Sequence, residues 1–107
     1  MKKPTLNHQP INGKTQLYGV IGHPIEHSLS PIIQNAALAH YDMNGVYIPL
    51  LVNTDTLESA IHGIKALNLQ GINVTVPFKE LVIPYLDDLA PNAQALGAVN
   101  TIVNDNQ

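Results

Sequence analysis

Short apolar runs of strand type alternate with stretches of helical period from Leu17 to Val103, and this alternation constrains the fold more than any other feature. Leu17 to Ile21 reads as a strand closed by Gly22-His23-Pro24. Pro31 to Met43 reads as a helix with Ile33, Ala36, Ala37 and Tyr41 near one face, ended by Asn44-Gly45. Val46 to Val52 is a second strand. Pro49 inside it has no N–H for a ladder, which predicts an edge position. The next helix has an apolar stripe of Leu57, Ala60, Ile61, Ile64 and Leu67, with Asp55 and Glu58 resembling a capping box. Gly71 to Val76 is the third strand. Phe78 to Leu89 has helical character broken at Pro84, which predicts a kink or two short helices. Asn92 to Leu96 adds one turn between Pro91 and Gly97, and Ala98 to Val103 is the last strand before the turn-forming Asn104-Asp105-Asn106-Gln107.

Strands joined through helices require right-handed crossovers and a largely parallel sheet. The expected fold is therefore α/β, a three-layer αβα arrangement with helices on both faces of a mostly parallel sheet. Residues 1–16 read as an irregular leader and residues 17–107 as one domain.

Composition narrows the function classes. With 45% hydrophobic and 12% charged residues, the 107-residue chain is globular rather than disordered. A net charge of −3 with no basic stripe argues against a nucleic-acid partner. Cysteine is absent, so neither disulfides nor thiolate chemistry is expected. Lys2 and Lys3 precede polar residues and prolines rather than an apolar run, and no segment is apolar enough to cross a membrane; a cytoplasmic protein without membrane association is expected. The five histidines lack metal-ligand spacing, so no metal is expected; His27 is the one placed to line a site.

Three stretches carry chemistry. In Asn73-Val74-Thr75-Val76-Pro77-Phe78-Lys79-Glu80, Asn73 and Thr75 share one strand face while Val74 and Val76 take the other, and Pro77 ends the ladder. Lys79 then stands at the C-terminal end of a strand, where open α/β sheets bind ligands; the other lysines lie in the leader or on a solvated helix face. In His27-Ser28-Leu29-Ser30-Pro31, Pro31 suits the first helical position and Ser30 the N-cap. Two hydroxyls beside a helix N-terminus form a small anion site, unless Ser30 only caps and Ser28 only faces water. In Gly97-Ala98-Val99-Asn100-Thr101, small residues lead into a strand and present the Asn100 amide, suited to a polyol or to fixing a loop.

Together these stretches resemble the shikimate dehydrogenase family, carried by Tyr18 to Pro31, Gly71 to Glu80 and Gly97 to Thr101 in the family's order and spacing. The family's enzymes have a substrate domain followed by a nicotinamide-binding Rossmann domain, and this chain resembles the first. The resemblance implies reversible reduction of 3-dehydroshikimate to shikimate with NADPH, within aromatic amino acid biosynthesis. By similarity Ser28 and Ser30 hold the substrate carboxylate, and Asn73, Thr75, Lys79 and Asn100 hold ring hydroxyls. Lys79 is also the catalytic lysine. NADP(H) belongs to the complete enzyme, because this chain has no Gly-x-Gly-x-x-Gly and stops before the family's Asn-Thr-Asp segment; alone it is expected to be inactive. Phe78 stands where many members have histidine, which removes a polar ring from beside the lysine. Quinate as substrate, and a non-catalytic module that binds a hydroxy acid, stay open as alternatives. So does a homodimer, formed through an interdomain surface or the Val46–Val52 edge.

Overall fold

The computed structural model describes residues 10–105, so Lys2, Lys3, His8 and the rest of residues 1–9 of the expected leader, with Asn106 and Gln107 of the expected turn, lie outside the described residues. Four strands form one sheet in the order β2-β1-β3-β4. β1 (Gln16–Gly22) runs parallel to both β2 (Gly45–Leu51) and β3 (Gly71–Val74), while β4 (Thr101–Val103) lies antiparallel on β3. The helices are α1 (Ser30–His40), α2 (Leu57–Ala66) and α3 (Pro91–Leu96).

The period-2 alternation of the strands divides two cores. On one face, Ile21, Ile72 and Val74 pack with Leu57, Ile61 and Ile64 of α2 and with Phe78, Val82 and Val99. On the other, Val20, Ile25 and Tyr47 form a smaller cluster with Tyr18 and Leu38 of α1. Helices on both faces of a mostly parallel sheet give the three layers expected. Among the described residues no helix is long and apolar enough to cross a membrane.

Several local expectations are corrected. α1 packs through half-buried Pro31, Asn35 and Leu38, whereas Ile33 and Tyr41, expected on its packing face, are 64% and 72% exposed. It also ends at His40, short of Met43, where Asp42 adopts a φ of 55°. The capping box is built by Asn53 and Thr56 around a 3-10 turn at Thr54–Thr56, not by Asp55 and Glu58. β3 stops at Val74, so Val76 faces solvent rather than the core. No helix forms over 78–89: the segment is a series of turns with one 3-10 turn at Ile83–Tyr85, held by Phe78 and Val82, both completely buried. β4 starts at Thr101 rather than Ala98, whereas α3 ends as expected at Gly97, whose φ of 66° suits glycine.

β2 is an edge strand, as Pro49 predicts. The Tyr47 N–H and C=O point away from β1, and the Asn35 side-chain amide takes both: Tyr47 N donates to Asn35 Oδ1 at 2.9 Å, and Asn35 Nδ2 donates to Tyr47 O at 2.8 Å. Pro49, two residues on, shares that outward side and has no N–H to offer. Strand pairing through this edge, one expected route to a homodimer, is therefore blunted at its centre.

Candidate functional site

The parallel strands β1 and β3 end side by side, so the loops that follow them meet over one rim of the sheet. Gly22 makes this approach close: a Cβ placed there would lie 2.5 Å from Thr75 Cγ2. Two backbone bonds fasten the loops, from Thr75 N to Ile21 O at 3.0 Å and from His23 N to Val76 O at 3.1 Å. Between them and the start of α1 lies a cleft of about 490 Å³. Ser28, Ser30, Asn73, Thr75, Lys79 and Asn100 all line it, together with His27 and Thr101.

Each side chain is placed by a specific local device. Leu29, not Ser30, precedes the first helical residue of α1, and no side chain caps the helix. Instead Ser28 Oγ accepts a bond from Ser30 N at 3.3 Å, two residues upstream of where the cap was expected. This holds the Ser28 hydroxyl beside Ser30, at the positive end of an eleven-residue helix. Asn73 projects to the α1 face because its neighbours Ile72 and Val74 fill the α2 core. Its Oδ1 accepts from Tyr47 Oη at 2.6 Å and its Nδ2 donates to Thr101 Oγ1 at 3.1 Å; Thr101 Oγ1 in turn donates to Asn100 Oδ1 at 3.2 Å. Asn100 is fixed through its own carbonyl, which accepts from Val74 N at 2.8 Å.

Lys79 is exposed on a turn rather than at the start of a helix. Phe78 beside it points the opposite way into the main core, so it is an anchor and not a ring in the cleft.

Tyr47 was not legible as part of this arrangement. It is 6% exposed, and its hydroxyl donates to Asn73 Oδ1 at 2.6 Å on the side of the Ser30 side chain. Burial pushes its phenol above the ordinary value of 10.0, against a smaller downward pull from the Ser30 side chain. The available signal was a tyrosine within an apolar strand, whose hydroxyl needs a polar partner once buried.

The arrangement can hold an anion at the two serines, a polyol along Asn73, Thr75 and Asn100, and a mobile proton at Lys79. Among the described residues no cluster of His, Asp and Glu is grouped to hold a metal ion. Nor do these residues fit a dinucleotide. The β1-to-α1 connection, where dinucleotide folds carry their Gly-rich turn, is His23-Pro24-Ile25-Glu26-His27-Ser28-Leu29, and Gly22 before it is packed against Thr75.

Residues 20–102 match the family model described as shikimate dehydrogenase substrate binding domain. The chain is 52% identical over 101 residues to the shikimate dehydrogenase (NADP(+)) of Desulforamulus reducens, covering 94% of this chain and 35% of that protein. The crystal structure of shikimate dehydrogenase from Aquifex aeolicus superposes with a TM-score of 0.88 at 52% identity, over 91% of this chain and 36% of that one. Shikimate 5-dehydrogenase from Listeria monocytogenes, solved with shikimate and NAD, gives a TM-score of 0.88 at 43% identity, over 92% and 34% of the two chains. The chain thus spans about a third of the length of the relatives it matches, and over that third it belongs to the shikimate dehydrogenase substrate binding domain family.

Proposed function

We propose that the cleft binds shikimate and 3-dehydroshikimate, and that this chain is the substrate half of an NADP-dependent shikimate dehydrogenase in aromatic amino acid biosynthesis. The observation that carries this reading is that six residues from three separate segments line one cleft. Their chemistry divides as the substrate's does. Ser28 and Ser30 at the N-terminus of α1 receive the carboxylate, where hydroxyls and helix dipole both favour an anion. Asn73, Thr75 and Asn100 receive ring hydroxyls, and the Tyr47-Asn73-Thr101-Asn100 chain of hydrogen bonds fixes which amide atoms face them.

Interconverting a secondary alcohol and a ketone moves a proton at oxygen while hydride moves at carbon. Lys79 supplies the proton to the carbonyl oxygen in reduction and receives it in oxidation. NADP(H), when bound in the complete enzyme, supplies the hydride equivalent; the residues of this chain do not fit it, and their part is to bind, to orient and to move the proton.

The test is an amide-resolved NMR titration of the chain with shikimate, with quinate and acetate alongside. Saturable shifts at Ser28, Ser30, Thr75, Lys79 and Asn100 with shikimate, and none with acetate, are expected. Equal responses to shikimate and acetate would reduce the site to an anion pocket, and no response at millimolar shikimate would overturn the reading. The quinate arm reports whether the cleft tolerates a saturated ring with an added hydroxyl.

A further inference from the structure

We infer that Asn35 is a positioning residue for the cleft: its amide locks α1, which begins at Ser30 two residues after Ser28, to Tyr47 of β2, whose hydroxyl in turn holds Asn73. The inference rests on the proposed substrate reading for its ligand, though not for its geometry.

α1 contributes Ser30 to the cleft but is weakly anchored by burial. It contains no buried residue, and Ile32 and Ile33 on its outer side are 70% and 64% exposed. Apolar contact through Leu38 holds it against the sheet without fixing its position along its axis, because such packing is not directional. Hydrogen bonds are directional, and Asn35 makes two to one residue, one donated and one accepted, at 2.8 and 2.9 Å. An amide that satisfies both the N–H and the C=O of Tyr47 has one seat on β2. Sliding the helix by a fraction of a turn breaks both bonds.

Asn35 lies five residues, well over a turn, beyond Ser30, so the lock sets where the serine hydroxyls stand over the sheet. Tyr47 carries that constraint to the other side of the cleft. The residue whose backbone is held by Asn35 donates its hydroxyl to Asn73 Oδ1 at 2.6 Å, with the Ser30 side chain close enough to act on that phenol. Anion side and polyol side are thereby referred to one strand position. Asn35 is not among the residues lining the cleft and acts only through Tyr47.

The experiment compares the chain with Asn35→Leu, an apolar side chain of similar size, and with Ile61→Val, a mild truncation in the opposite core chosen to match any general loss of stability. Two readouts are taken: shikimate affinity, and NOE contacts between Ser30 and the Tyr47 ring without ligand. Asn35→Leu is expected to lose those contacts and to weaken shikimate by about ten-fold, equivalent to about 1.4 kcal/mol, while Ile61→Val changes neither. Retained contacts and unchanged affinity in Asn35→Leu would overturn the inference, as would equal losses in Ile61→Val. If the unaltered chain does not bind shikimate, the substrate reading falls and the ligand-free contacts alone decide for or against Asn35. If Asn35→Leu does not fold, Tyr47→Phe removes only the hydroxyl link. Weaker shikimate binding with a shifted Asn73 side-chain amide supports the relay, and unchanged binding and amide overturn it.

Discussion

The backbone carbonyl of Lys79 accepts a hydrogen bond of 2.7 Å from the N–H of Val99. Val99 is buried in the main core and directly precedes Asn100, so the lysine turn and the amide segment are fastened to each other behind the cleft. With Phe78 also buried, the backbone of the exposed lysine is held from both sides. Its long side chain remains free to reach a ligand.

That arrangement separates the roles of adjacent residues. Phe78→Ala should cost about 3–5 kcal/mol of stability, the usual range for emptying a buried aromatic site, and should loosen the lysine turn with it. Urea unfolding measures the loss. A cost within about 0.5 kcal/mol, typical of surface substitutions, would show that Phe78 does not anchor the turn.

Lys79→Met should leave the urea midpoint close to that of the unaltered chain, because the side chain is exposed. On the proposed role of Lys79 as proton donor and acceptor, the same substitution in a complete two-domain enzyme should depress kcat far more than it raises KM. Steady-state kinetics distinguishes the two, and parallel losses in both constants would make Lys79 a binding residue only.

Gly22→Ala tests the close approach of the two loops. The added methyl would lie 2.5 Å from Thr75 Cγ2, and Thr75 is short and branched with no flexible end to yield. A destabilisation of about 1–3 kcal/mol is expected, as for other overpacked sites, with weaker shikimate binding as Thr75 is displaced. Gly22→Ala combined with Thr75→Ser, which deletes the opposing methyl, should recover much of the stability. Additive losses in the double variant would place the strain elsewhere.

Tyr47 makes a prediction about alkaline pH. Its folded-state phenol is raised above 10.0, so the fold favours the protonated form. Its contribution to stability is therefore complete below the ordinary phenol value and is lost as pH rises through and beyond it toward the raised one. Urea unfolding from pH 8 to 11 should show the chain losing more stability than Tyr47→Phe across the alkaline end. Parallel curves would mean that Tyr47 is not protected from ionisation.

The order of the elements could be read from the chain because it follows from short-range rules, whereas the grouping of the six residues into one site came from the family resemblance. Alternating strands and helices imply parallel pairing, and parallel pairing brings the loops after β1 and β3 to the same rim, where Ser28, Ser30, Thr75 and Lys79 lie. What could not be read depended on partners distant in sequence. The packing face of α1 was assigned to Ile33 and Tyr41 by hydrophobicity, yet a polar residue, Asn35, faces the sheet because an edge-strand peptide needed both a donor and an acceptor. The 78–89 segment has helical composition, but prolines at 77 and 84 and the burial of Phe78 and Val82 hold it in turns. The place of Tyr47 in the cleft is not legible from its sequence neighbours because its partner Asn73 is 26 positions away.

The blunted β2 edge gives the described sheet one stopped side. Among the described strands, only β4 offers an outer edge without such a stop at its centre, and its Thr101 and Val103 are exposed. Two chains that met through β4 would join their sheets back to back, leaving a stopped edge at each end of the pair. Association by strand addition would then terminate at two copies, whereas a sheet with two open edges could propagate into a fibre.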